Sequence, residues 1–437
     1  MSKLPAGWSI ATMQDIADVQ LGKMLDAAKN KGVPVPYLRN INVRWGSFDL
    51  SDVLEMRMTT EEQVVYSIHD GDVLICEGGE PGRAAVWCSG QTNIKYQKAL
   101  HRARTCTGVA PKLVAFYMQH AAAGGKLESR FTGTTIKHLP LGAIREMPVP
   151  VPPSLEQRRI VAKIDSLSAK SRRAHEHLDH IPRLVEKYKQ AILAAAYTEA
   201  QRHSERAATL GEISLEVRNG LSKKPSDNPS GFPILRISAV RSMSVRLDDV
   251  RYYPETVPEV AQLRDGDLLF TRYNGNPDFT AVCGAVRGLT CRTAYPDKLI
   301  RVRLSEAADP KFVEVMSAAA QSRDWLAPHI KTAAGQHGIS GADLKMLPIP
   351  LPSICHQQII ARRIDAAFTW LDRLASETTS ARKLIGHLDQ AILARVFRGE
   401  LVPQDPNDEP ASVLLERIRA EREARSSPKH STIKKKK

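Results

Sequence analysis

Nucleotide hydrolysis, dinucleotide redox chemistry, zinc proteolysis and ester hydrolysis each need residues at a characteristic spacing. The sequence has no GxxxxGK[ST] loop, no GxGxxG, no HExxH and no GxSxG. Its histidines and acids fall into no catalytic spacing. Cysteines 76, 88, 106, 283, 291 and 355 form no CxxC pair and no Cys/His spacing suited to zinc. Reduced, mostly buried thiols are expected, and no bound metal or cofactor. The groups that could do chemistry are instead cations, hydroxyls and amides in glycine-containing stretches. Such groups hold phosphates, and Arg, Lys, Asn or Gln at a groove edge can read bases.

Three regions concentrate these groups. The first is Thr132, Gly133, Thr134, Thr135, Ile136 and Lys137, with a later counterpart in Gly335, Gln336, His337, Gly338, Ile339 and Ser340. In the second, Arg272, Tyr273, Asn274 and Gly275 answer to residues 77–83, which end in Arg83. Scattered basic residues make the third: Lys95, Lys98, Arg102 and Arg104 early in the chain, Lys223, Lys224 and Arg241 later. Arg39 and Arg236 recur at matching positions, which suits a structural ion pair as well as a contact.

A formal net charge of +14 favours a polyanionic partner. Part of it lies in residues 417–437, which end in four lysines and read as a basic, partly disordered tail over 401–437. No run approaches the ~18 apolar residues of a membrane span, and residues 1–15 lack the apolar core of a secretory signal. A cytoplasmic location is therefore expected. Asn276, Pro277, Asp278 and Phe279 resemble the Asn-Pro-Pro-Phe signature of adenine methyltransferases, but the second proline is missing and no glycine-rich cofactor loop lies upstream. That stretch is read as a turn.

The elements that must position these groups are written twice. Pro148, Pro150, Pro152, Gln157, Ile160, Ile164 and Asp165 recur, each 200 residues on, as Pro348, Pro350, Pro352, Gln357, Ile360, Ile364 and Asp365, and residues 190–194 recur as 390–394. A repeat this long duplicates a whole domain with its trailing helix, and predicts pseudo-twofold symmetry within one chain. Weaker matches, residues 70–74 with 265–269 and Pro111-Lys112 with Pro310-Lys311, extend it into the preceding domains. Short apolar runs at 73–76 and 268–271 predict strands; the prolines at 111 and 310 predict helix starts. Both domains are read as α+β.

Each alternating proline segment must be extended, because proline disfavours helix at the residue before it. A long helix follows. Ile160, Ile164, Leu167, Ser171, Ala174, Leu178, Ile181, Val185, Tyr188 and Ile192 are spaced by fours and threes, as are Ile360, Ile364, Ala367, Leu371, Leu374, Thr378, Ala381, Ile385, Leu388 and Ile392. Two seams in one register predict an intramolecular antiparallel coiled coil of roughly 60 Å, with the domains at opposite ends. Helices packed separately on their own domains would not need a shared phase. Pro182 should kink or break the first helix.

A domain, a proline join, a seamed helix ending in Gln-Ala-Ile-Leu-Ala and the same again closely resemble the specificity subunits of type I restriction-modification systems. The resemblance covers the chain to about residue 415. It implies target recognition domains at 1–152 and 207–352 and spacer helices at 153–200 and 353–400. Each domain would read half of an asymmetric, gapped double-stranded DNA site. This chain would do no chemistry itself. Two methyltransferase subunits using S-adenosylmethionine, and restriction motor and nuclease subunits using ATP and Mg, would act on its target. Within that reading Arg272 and Asn274 read bases. Two rivals stand beside it: a DNA-binding scaffold of a nuclease-free methylation complex or other defence assembly, and an enzyme with an unrecognised site.

Overall fold

The computed structural model describes residues 4–426 other than 27, 92 and 334. It divides into two compact units, Met1–Glu176 with Ala381–Lys437, and His177–Ser380. Helix and sheet are mixed throughout, and no helix among the described residues is long and apolar enough to cross a membrane.

The two units repeat one plan. In the first, a four-stranded antiparallel sheet runs in the order Ala17–Leu21, Leu100–Thr105, Val73–Cys76, Ala84–Val86. In the second, the order is Ser214–Asn219, Leu299–Leu304, Leu268–Thr271, Cys283–Ala285. The inner strands at 73–76 and 268–271 have no polar-apolar alternation because both faces are covered. Val73 and Ile75 join one buried cluster with the helix Pro111–Ala123, whereas Leu74 and Cys76 join another with Trp87 and Tyr96. Leu268 and Phe270 likewise pack with Phe312 of the helix Pro310–Ala318, and Leu269 packs with Tyr295.

The proline segments are strands whose partners open each domain. Pro148–Val151 pairs with Ser9–Thr12, and Pro348–Pro350 with Ala207–Thr209, antiparallel in both cases. The recurring glutamines then fasten helix to domain. Gln157 donates to the Pro152 carbonyl at 2.9 Å and accepts from the Ala110 amide at 2.8 Å. Gln357 donates to Pro352 and Ala307 and accepts from the Asp309 amide at 2.9 Å.

The helix Ser154–Arg202 runs unbroken through Pro182, so the expected break does not occur. Proline withholds one N–H, and the helix pairs with the helix Ile354–Val396 in each unit. Within the first unit Ser171 donates to Asp389 at 2.7 Å, and Ile160 and Ile164 share a buried cluster with Leu393 and Val396 of the helix Ile354–Val396. Within the second unit Lys189 pairs with Asp372, and Arg363 with Glu199 at 2.8 Å. In both units the partner's number falls as the first rises, so the segments lie antiparallel.

Seam residues Ile160, Ile164, Val185, Ile360, Ile364 and Leu371 are buried; Leu167, Leu178, Ile181, Ile192, Leu374, Ile385 and Ile392 are half-buried. Tyr188 and Leu388 are not seam residues, at 60% and 56% exposed. An α-helix drifts against a strict heptad by ~20° per repeat, and the buried stripe has moved to Leu193, Ala196, Tyr197 and Ala200 where the first helix enters the core of the second unit.

The tail expectation is corrected as far as residue 426. Ala411–Ser426 is a helix whose Ala411, Leu414, Leu415 and Ile418, one face at helical spacing, are buried in the core of the first unit. The terminal lysines lie outside the described residues. The cysteines also depart from expectation: Cys76 and Cys283 are buried, whereas Cys88, Cys291 and Cys355 are exposed. Asn276 caps the single turn Pro277–Phe279 through the Asp278 amide at 2.9 Å.

Candidate nucleic-acid interface

One backbone frame, present in both units, carries the loop that follows the inner strand. In the first unit the Glu77 amide donates to the Ala99 carbonyl at 2.9 Å, and the Leu139 amide donates to the Glu77 carbonyl at 2.7 Å. In the second, the Arg272 amide donates to Lys298 at 2.8 Å and the Ile339 amide to Arg272 at 3.0 Å. A close approach behind each loop requires glycine: a side chain on Gly22 would meet the Gln97 carbonyl at 2.3 Å, and one on Gly220 the Tyr295 carbonyl at 2.2 Å.

This frame brings together regions that lie far apart in sequence. Tyr273–Asn274 pairs with Gln336–Gly338, which turns back on Lys331–Ala333, so Tyr273, Asn274, Gln336 and His337 share one small sheet, and Arg272 immediately precedes it. The Arg272 guanidinium lies 4.7 Å from the centre of the Tyr273 ring and donates to the Asp297 carbonyl at 3.4 Å. Asn274 accepts from the Asn276 amide at 3.0 Å. The His337 ring meets the Thr332 hydroxyl at 3.0 Å. Ser340 is less available, since its hydroxyl donates to the Asp343 carboxylate and accepts from the Asp343 amide as a helix cap.

Beside Arg272 lies a cavity of about 700 Å³ lined by Lys223, Lys224, Arg236, Arg251 and Lys298, with Asp297 the one acid in its wall. Lys223 pairs with Glu255, Arg251 with Asp227 at 3.0 Å, and Arg236 with Asp249 at 3.9 Å. Lys224 and Lys298 form no ion pair among the described residues. Such a wall suits a phosphate backbone.

The first unit offers a different surface on the same frame. Glu77, Gln97, Lys98, Thr132 and His138 line a groove of about 610 Å³ with Met24 and Leu25. Thr134, Thr135 and Lys137 stand exposed on the adjoining loop, where the Lys137 ammonium sits 5.9 Å above the Phe131 ring. At the base of that loop the buried His101 ring donates to the Leu139 carbonyl at 2.8 Å. Burial pushes this imidazole down to about 4.

Several expected contact residues are buried or already engaged by other side chains. Lys95 is a correction, 6% exposed within a strand, where burial lowers its pKa. Arg83 is fastened to Glu80 at 2.7 Å and to the Asn40 carbonyl at 2.8 Å. Arg102 pairs with Asp18 at 2.9 Å, and Arg104 grips Asp72 with two bonds of 2.8 Å. The second unit repeats this network with Arg301 on Glu216 and Arg303 on Asp267. Arg39 is paired with Asp52 at 2.6 Å, and Arg241 covers the Phe279 ring. Gln97, His138, Arg251 and Lys298 were not singled out from sequence; for the turn before Leu100 and Leu299, the offset of Pro111-Lys112 from Pro310-Lys311 was the available signal.

No family model matches the chain. Among curated proteins, the EcoKI specificity subunit of Escherichia coli (strain K12), a type I restriction enzyme subunit, is 31% identical over 471 residues, 99% of each chain. The chain belongs to the type I restriction enzyme specificity subunits. The StySPI specificity subunit of Salmonella potsdam is 25% identical, again over 99% of each chain. Among solved structures, one from a study of complex assembly and conformational transition of the type I R-M system matches with a TM-score of 0.67 at 17% identity. It covers 92% of this chain and 100% of that one. The HsdS subunit from Thermoanaerobacter tengcongensis matches at 0.59 and 18% identity, over 91% and 98%. These two share the fold of this specificity subunit.

Proposed function

We propose that residues 1–152 and 207–352 are target recognition domains, each reading one half of an asymmetric, gapped DNA site. The helices over 153–200 and 353–400 then form an antiparallel coiled-coil spacer. The observation that carries this is the repeated frame around Glu77 and Arg272 with different side chains in its two copies. Equal scaffolds give equal docking on a duplex, and unequal side chains give unequal half-sites. Phosphate contacts come from Lys223, Lys224 and Lys298 in the second domain, and from Lys98, Thr132, Thr134, Thr135 and Lys137 in the first. Arg272, Asn274, Gln336 and His337 face base edges.

The chemistry belongs to partners. Two methyltransferase subunits supply S-adenosylmethionine-dependent adenine methylation, and restriction subunits supply ATP- and Mg-dependent translocation and cleavage, all in the cytoplasm. Reaching an adenine inside a duplex requires taking it out of the stack, so the site is opened when those partners are bound.

The test is a genome-wide map of methylated adenines with this gene intact and deleted. Loss of one asymmetric gapped motif on deletion is expected. An unchanged map, in cells that express the subunit together with its methyltransferase, would refute the assignment.

A further inference from the structure

The two copies of the frame carry opposite charges. Glu77 stands where Arg272 stands, since both amides donate to the equivalent carbonyl, of Ala99 or Lys298, and both carbonyls accept from the equivalent amide, of Leu139 or Ile339. Next to them, the Leu100 amide donates to Gln97 and the Leu299 amide to Pro296, each at 2.9 Å. This places Lys98 opposite Asp297. An acid at the strand end with a base on the turn has become a base at the strand end with an acid on the turn.

The Glu77 carboxylate and the Lys98 ammonium form no hydrogen bond or ion pair among the described residues, though both line the same groove. The same groove holds the polar side chains Gln97, Thr132 and His138 and the apolar Met24 and Leu25, which are 58% and 54% exposed. A glutamate aimed into such a groove on a DNA-facing surface repels phosphate, so its use must lie elsewhere. A carboxylate accepts hydrogen bonds only. In the major groove cytosine presents the N4 amino donor alone, whereas adenine sets the N7 acceptor beside its amino group, against which a carboxylate is repelled.

We propose that Glu77 is a specificity-determining residue of the first domain, accepting a hydrogen bond from the N4 amino group of a cytosine. Arg272, at the equivalent place in the second domain, donates to the O6 and N7 of a guanine. The inference rests on the DNA-reading role proposed above and adds which base each domain selects at this position.

The experiment uses the full chain in complex with its methyltransferase subunits. A library of randomised duplexes is methylated and the modified sequences are read for wild type, Glu77→Gln and Arg272→Gln. Glu77→Gln is expected to lose about tenfold to a hundredfold of preference for cytosine at one position, leaving the other half-site and the gap length unchanged. Arg272→Gln loses preference for guanine in the other half-site. Because the Glu77 carboxylate holds no partner among the described residues, the melting temperature of Glu77→Gln should match wild type; a drop of several degrees would make the residue structural and overturn the proposal. An unchanged motif, a uniform loss over all sequences, or a base other than cytosine at the altered position would overturn it too. No sequence preference in wild type would instead overturn the DNA-reading assignment itself.

Discussion

Charged residues in this chain divide by whether the fold has already claimed them. Arg104 and Arg303 are spent on the buried Asp72 and Asp267, Arg102 and Arg301 are themselves buried and paired with Asp18 and Glu216, and that pattern repeats between the copies. The groove residues differ between the copies, which is the distribution expected when scaffold is kept and specificity changes. Arg272→Ala should relax preference at one base position by about 1–3 kcal/mol, measured by competition between duplexes that differ only there; equal weakening on every duplex would mark a phosphate contact instead. His101 gives a pH prediction. Burial lowers its pKa to about 4 from an ordinary value of 6.5, against the raising effect of its bond to Leu139. The folded state therefore keeps it neutral while the unfolded chain takes up a proton. Its contribution is complete above about pH 6.5 and is lost as pH falls toward 4, by on the order of 3 kcal/mol. Urea melts at pH 7.5 and pH 5 should separate wild type from His101→Gln, with the variant less sensitive to acid.

The long helices are fastened to their domains at their first turns. Gln157 and Gln357 are each almost wholly buried and bridge the proline join to the loop before a domain helix. Replacing either by Ala strands a buried amide and a buried carbonyl. A cost of about 1–3 kcal/mol per site is expected, read as a lower urea midpoint. Comparable losses at both sites would confirm the equivalence. The helix Ala411–Ser426 is a second positioning element. Leu414 packs over Gly108, whose φ of +87° and lack of a side chain leave room for it, since a Cβ there would lie 2.7 Å from the leucine methyl. Leu415→Ala should destabilise the first unit by about 2–5 kcal/mol, visible in thermal melts of the full chain.

At the scale of the molecule, the net charge of +14 is distributed unevenly in its consequences. Ion pairs neutralise many individual cations but leave that excess intact, and part of it lies in the cavity containing Lys224 and Lys298. DNA affinity of the assembled complex should fall steeply with salt. A slope of log affinity against log salt near −5 would correspond to ~6 phosphate contacts. Lys224→Ala with Lys298→Ala should make that slope shallower by about 2 without altering the motif; a changed motif would assign these lysines to base reading.

The duplication, the strands at 73–76 and 268–271, the helix starts at Pro111 and Pro310 and the family were legible in the sequence, because they rest on local spacing and on residues repeated in register. Two long-range outcomes were not. The burial of Ala411, Leu414, Leu415 and Ile418 depends on a groove assembled from distant strands, so the basic residues around them read as a tail. The fate of each arginine depends on which acid the fold brings near it: Asp72 and Arg104 are 32 residues apart, and Arg301 meets an acid 85 residues away. Sequence alone determined that one scaffold is used twice. Only the tertiary structure decided which charges are buried or paired and which are left at the surface, because burial and pairing are properties of the packed chain and not of any segment within it.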